Sequence, residues 1–195
     1  NMAYPTVEAP YGLVPINLIG GQPYAGSTRQ MKIASGYATD IFNGDVVKRA
    51  ADGTIQKETG TTTVTATGVI GVFVGVTYTD PSTSQKTFKQ YYPASTAASD
   101  IQAYVVDDPD ALFKVAVVSG TTVIAGTGYT SIGSNAALVQ NAGSTTTGNS
   151  KVAINAINTT LSLPMRIVDV VEETTDSSGN YTEVLVKWNV PHENS

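Results

Sequence analysis

Gly68-Val69-Ile70-Gly71-Val72-Phe73-Val74-Gly75-Val76-Thr77-Tyr78 is the most apolar stretch of the chain. Its unbroken apolar part, Val69 to Val76, is far shorter than the ~20 residues a membrane-spanning helix needs. The glycines and β-branched residues argue against a helix of any kind. The run therefore reads as a buried strand, with glycines where the strand bends or where another backbone comes close.

The flanking sequence reads the same way. Upstream, Tyr37 to Phe42 leads through Asn43-Gly44, a dipeptide suited to a tight hairpin, into Asp45-Val46-Val47-Lys48-Arg49. Asp52-Gly53 turns again before Thr54 to Lys57. Downstream, Asp80 to Ser84 is a turn and Lys86 to Pro93 a hairpin arm. Residues 94–100 suit one helical turn with Ser95 as N-cap. Ile101 to Val106 and Leu112 to Val118 read as strands around the turn Asp107 to Asp110. From Ser119 to Ser150 the chain is small, polar and glycine-rich, Asn135 to Val139 within it is a short helix or a strand, and 119–160 reads as a loop-rich insertion. Lys151 to Ile157, Leu161 to Val171 and Tyr181 to Trp188 complete the strands, with Ser178-Gly179-Asn180 as a hairpin tip.

Composition supports this. Thr, Val and Ile make up 62 of 195 residues, side chains that fit a pleated sheet better than a helix. The expected fold is all-β: a small β-barrel or β-sandwich core over 29–195, carrying an extended Pro/Gly-rich N-terminal arm over 1–28. A chain of this size hides roughly 70% of its unfolded surface and can build a core without disulfides.

Several chemistries are excluded or disfavoured. There is no Cys, hence no disulfide, thiolate metal site or thiol nucleophile. The single His, His192, lies close to the C-terminal end, where it lacks the two-sided grip a catalytic base requires. A net charge of -5 with scattered cations does not suit nucleic acid. No basic-then-apolar leader opens the sequence, so no signal peptide is expected. Asp107, Asp108 and Asp110 lack the spacing of a calcium loop and read as a turn. The glycines of the apolar run form no phosphate cradle, because no helix with Lys and Ser/Thr follows. Asn158-Thr159-Thr160 and Asn180-Tyr181-Thr182 match the glycosylation triplet, a match that Thr-rich chains reach by chance. Tyr91, Tyr92 and Trp188 could stack on sugars but read better as core or interface residues. No enzyme activity, cofactor or metal is expected.

The first 28 residues stand apart. Pro5, Pro10, Pro15 and Pro23 rule out a helix or a central strand. Tyr11, Leu13, Ile16, Leu18 and Tyr24 are spread along the same segment. An extended segment bearing such residues must rest on its own domain or on another chain, and these five are the expected partner contacts.

Residues 41 to 76 run Ile-Phe-Asn-Gly-Asp-Val-Val-Lys, then Ala-Asp-Gly-Thr-Ile, then Gly-Val-Ile-Gly-Val-Phe-Val-Gly-Val. This resembles the strand–turn–strand pattern of small β-barrels in head decoration proteins of tailed bacteriophages. Pro10 to Gln30 and Tyr104 to Val115 look like segments of virion structural proteins of marine and freshwater phages, cyanophages included. The resemblance implies a non-enzymatic cement protein on the outer surface of the virion. Its expected partners are the major capsid protein and itself, as a homotrimer at local three-fold axes, with no nucleic acid and no membrane. The stretch 119–160 has no counterpart in that pattern. The competing expectation is an extracellular adhesin or glycan-binding β domain.

Overall fold

A computed structural model describes residues 10–16, 28–64, 69–121 and 123–189. In chain order the strands are β1 (Val14–Ile16), β2 (Thr28–Lys32), β3 (Val46–Arg49), β4 (Ile55–Lys57), β5 (Gly71–Thr79), β6 (Lys86–Lys89), β7 (Gln102–Val106), β8 (Leu112–Ala116), β9 (Val118–Ser119), β10 (Val123–Ile124), β11 (Thr127–Gly128), β12 (Asn135–Val139), β13 (Ala153–Asn158), β14 (Met165–Val170), β15 (Asn180–Tyr181) and β16 (Glu183–Trp188). Two single 3-10 turns, Tyr129–Ser131 and Glu172–Thr174, are the only helical elements among the described residues. The fold is all-β, as expected.

The apolar run becomes the long strand β5, the spine of the first sheet. That sheet has the order β2-β7-β5-β3-β4, with β6 also paired to β5. The second sheet has the order β1-β8-β16-β14-β12-β13. Neighbouring strands in both are antiparallel. Val46, Val72 and Val106 of the first sheet share one apolar cluster with Leu13, Phe113, Val115, Met165, Ile167, Val184 and Val186 of the second. The architecture is therefore sandwich-like. The second sheet curls enough for Val117, just past β8, to bridge Ile154 of β13, but it does not close into a barrel.

The opposite face of the first sheet is also buried. Phe73, Val76, Ala103 and Val105 form a second cluster with the loop residues Ile33, Ile41, Tyr92 and Ile101. A β-bulge makes this possible. Phe73 pairs with Val105 and Gly75 with Tyr104, so Val74 is an extra residue. It reverses the alternation, and Phe73, Val76 and Tyr78 all reach the second cluster. The glycines of the run do mark close approach: a Cβ on Gly71 would collide with the Val106 carbonyl, and one on Gly75 would come 2.7 Å from the Phe88 ring.

Three local expectations change, and the choice left open for Asn135–Val139 is decided. Residues 94–100 form no helical turn, and Ser95 sits at φ 63°, outside helical geometry. Asn43-Gly44 does not join two paired strands; it turns a loop into β3, with positive φ at Gly44 alone and a bond from Asp45 N to Phe42 O (2.9 Å). Asn135–Val139 is a strand. The stretch 119–160 is no appendage, since β12 and β13 are two strands of the second sheet and Ala136, Leu138 and Ile154 lie in its core.

The β12–β13 pair carries its own bulge, at which Ala156 adopts φ 49°. A side chain in this left-handed region is strained, and Ala156 is exposed, so nothing packs in return. Ala156→Gly is expected to stabilise the protein by about 0.5–1 kcal/mol, the relief exceeding the extra entropy of glycine. Urea unfolding followed by the fluorescence of Trp188, the single tryptophan, measures it.

Candidate functional site

Three distant segments cross at Asp45. Its side chain is 0% exposed. Oδ1 accepts from Ser150 Oγ (2.7 Å) and Oδ2 from Phe42 N (2.8 Å), while Lys57 Nζ lies 3.4 Å from Oδ2. Ser150 Oγ in turn accepts from Val152 N (3.0 Å). Around these side chains the backbones are laced together: Gly12 N to Val152 O (3.0 Å), Leu13 N to Gly44 O (3.1 Å), Ser150 N to Asn43 O (2.9 Å) and Gly44 N to Phe73 O (2.8 Å). Gly12 and Gly44 both have positive φ, at 87° and 104°. A Cβ on Gly12 would stand 2.6 Å from Ser150 Cβ, and one on Gly44 would stand 3.1 Å from Gly12 Cα. Only glycine permits this crossing.

Three of the five expected contact residues lie at or near this crossing. Leu13 is 1% exposed in the inter-sheet core, so its side chain is not offered to a partner. Ile16 is half-buried at the end of β1, opposite Leu112. Tyr11 is partly buried; its hydroxyl donates to Glu183 Oε1 (2.6 Å), and Lys114 Nζ lies 5.7 Å from its ring centroid. Leu18 and Tyr24 lie outside the described residues, as does His192. Residues 10–16 thus belong to the body of the fold. Pro15 sits in an edge strand, the place in a sheet that tolerates a missing donor.

Several of the described carboxylates are held by backbone and side-chain donors. Asp100 accepts from Thr79 N (2.9 Å), Thr79 Oγ1 (2.7 Å) and Lys86 Nζ (3.2 Å), and these bonds hold it far below the usual carboxylate range. It borders a shallow depression of about 400 Å³ lined also by Thr79, Pro81 and Ala97 to Ser99. Asp108 accepts from Asp110 N (2.8 Å), the plain turn expected there. Asp52, Asp80 and Asp176 cap turns in the same way, and each is held below its ordinary pKa by its own loop. Asp107 pairs with Arg29 (2.9 Å). Among the described residues no cluster of three or more His, Cys, Asp or Glu could hold a metal ion, and no helix is long and apolar enough to cross a membrane.

The aromatic candidates divide. Tyr92 (0% exposed) and Trp188 (7%) are core residues, with Phe113 meeting the Trp188 ring edge-on at 5.6 Å. Tyr91 stacks on Phe42 at 5.4 Å. Sequence reading missed the aromatics that face solvent, Phe88 and Tyr129, both at least 60% exposed. The Lys86-Thr-Phe-Lys alternation was the available signal for Phe88, but it does not say which side of the sheet is covered.

Comparison with known protein families, curated proteins and solved structures finds no match to this chain.

Asp45→Ala strands Lys57, Ser150 Oγ and the Phe42 amide in a dry site, and should cost about 3–5 kcal/mol in urea unfolding. Asp45→Asn, which keeps an acceptor, should cost less.

Tyr11 gives a pH prediction. Burial first, then the hydrogen bond and charge of Glu183, push its phenol above the ordinary value of 10.0. The folded state then holds the proton more tightly than the unfolded chain. The corresponding stability is fully present below pH 10 and is lost as pH rises beyond it. Tyr11→Phe should flatten the alkaline limb of the stability–pH profile and lower stability at neutral pH by about 1–2 kcal/mol.

Proposed function

We propose that this chain is a non-enzymatic structural protein of a tailed-phage virion. It binds the outer surface of the icosahedral shell and ties neighbouring capsomers together, as a homotrimer at local three-fold axes. The resemblance of residues 41–76 to head decoration proteins, and of 10–30 and 104–115 to virion structural proteins of phages, suggests the class. The observation that carries the reading further is how the described polar groups are used. The carboxylates of Asp52, Asp80, Asp108 and Asp176 are taken up by bonds from their own loops, that of Asp100 by Thr79 and Lys86 of the neighbouring strands, and that of Asp45 by the crossing around it. What faces outward is a stiff sandwich with Thr, Ser, Gln and a few aromatic rings, a surface suited to adhesion.

The physical task fits such a body. A shell holding packed genome is strained where capsomers meet. A rigid protein that touches several subunits at once makes the second contact effectively intramolecular, so weak individual contacts add up to tight seating.

The test uses purified particles and heads lacking the protein. The chain should be recovered from virions in stoichiometric amount, and adding it to bare heads should raise their rupture temperature. Absence from particles, or rupture indifferent to its addition, would overturn the proposal. A truncation that probes the N-terminal segment as an anchor must stop before Pro10. Deletion through residue 28 removes Leu13 and β1, and with them part of the core.

A further inference from the structure

Five large apolar side chains are exposed among the described residues, and two are aromatic: Phe88 (61%) and Tyr129 (60%). They lie in opposite electrostatic settings.

Phe88 shares a cross-strand row with Thr77, Gln102 and Lys32. Its ring rests against Gly75. In the adjacent row Tyr104 adds a second ring, with centroids 6.1 Å apart. One row further along the same face, Val72 and Val106 are sealed against the second sheet. Among the described residues, one face of the first sheet is therefore sealed at one end and more open at the other, where Phe88 and Lys32 are exposed and Thr77, Gln102 and Tyr104 half-buried. The charged side chains at this end are Lys32 and, at the margin, the Lys86–Asp100 pair. Lys32 is exposed and makes no ion pair among the described residues. Lys86, 62% exposed, touches Asp100 at the margin.

Tyr129 stands on the first 3-10 turn and leans on Tyr181 of β15, with centroids 6.4 Å apart. The second 3-10 turn carries the exposed Glu172 and Glu173 and is held beside Tyr181 by the Thr175–Tyr181 bridge. This is an aromatic knob with an acidic rim.

We infer that the Lys32–Phe88 strip of one copy of this chain docks on the Tyr129–Glu173 knob of a second copy. Each surface has what the other lacks. Aromatic anchors meet at the centre, where they contribute most, and opposite charges meet at the rim, where they set partner and orientation. Strip against strip would oppose lysines, and knob against knob would oppose glutamates. The two surfaces belong to different sheets, so the contact is head to tail and generates a ring where the rotation closes. It rests on the self-assembly part of the proposed function and supplies its contacts, but needs no shell, which recovery from virions tests separately.

Native mass spectrometry and sedimentation of the full chain test it. Wild type should assemble at micromolar concentration and loosen as salt is raised. Phe88→Ser and Tyr129→Ser should each weaken assembly on the order of tenfold or more with the Trp188 unfolding transition unchanged. Mixed together, these two variants should form a one-to-one pair, because each keeps the surface that the other has lost. Lys32→Glu, a surface change that serves if Phe88→Ser unfolds, should weaken assembly, and adding Glu173→Lys should restore it. A wild type that stays monomeric overturns the inference, as does undiminished assembly of the variants. Variants that lose binding to phage heads while self-assembly persists place the strip against the shell and overturn it equally.

Discussion

A fully buried carboxylate dictates the geometry around it. Withdrawing a charge from water costs several kcal/mol unless each oxygen finds a partner. Asp45 finds them in Phe42 N, Ser150 Oγ and Lys57 Nζ. Meeting that demand fixes the positions of 42–45 and 148–152, and the Gly12–Gly44 approach brings in 10–13. The node lies between the two apolar clusters: Leu13, Val46 and Val152 belong to one, Ile41, Val47 and Phe73 to the other. Apolar burial supplies most of the stability, and it would tolerate many ways of sliding one sheet over the other. The hydrogen bonds at Asp45 are satisfied in one register only.

The strands that could be read from sequence are those whose local pattern already carries their burial. Val69 to Val76 is continuously apolar and is buried on both faces. Leu112 to Val118 and Tyr181 to Trp188 alternate, and their inward residues Phe113, Val115, Val184, Val186 and Trp188 are core. What escaped reading depends on contacts between distant segments. The bulge at Val74 is invisible in a run of apolar residues, because either face would accept them. Asn43-Gly44 resembles a hairpin tip, yet its amides bond to Phe73 of β5 and to Gly148 rather than across a hairpin between 37–42 and 45–49. The small polar residues after 119 look like a loop because Asn135 and Ala136 have weak strand preference; their pairing with Met165 and Arg166 overrides it.

Leu13 illustrates the same limit at the level of the candidate site. Pro10-Tyr-Gly-Leu-Val-Pro-Ile16 has neither helical nor strand periodicity, so nothing local distinguishes the side chain that enters the core from those that do not. The distinction comes from Gly12, which allows the chain to pass directly over Gly44 and drop Leu13 between the sheets. Phe88 is the converse case. Alternation in β6 places it opposite Thr77, but only the extent of the second sheet determines that this end of the face stays bare.

These placements bear on how the protein can hold a neighbour. A proline-stiffened N-terminal segment invites the idea of a strand donated to a partner's sheet. For Val14–Ile16 that capacity is already used, since these residues pair with Leu112 to Lys114 of their own chain. Pro15 also removes one donor from the edge that β1 exposes, which discourages further strand addition there. In the proposed role, strand donation by Val14–Ile16 is therefore not the means of adhesion, and side-chain surfaces carried by rigid elements are the alternative. Such surfaces need fixed relative positions to engage more than one neighbour at a time. A close-packed sandwich pinned in register at Asp45 supplies that rigidity, because its interior cannot deform continuously without breaking a buried ionic contact.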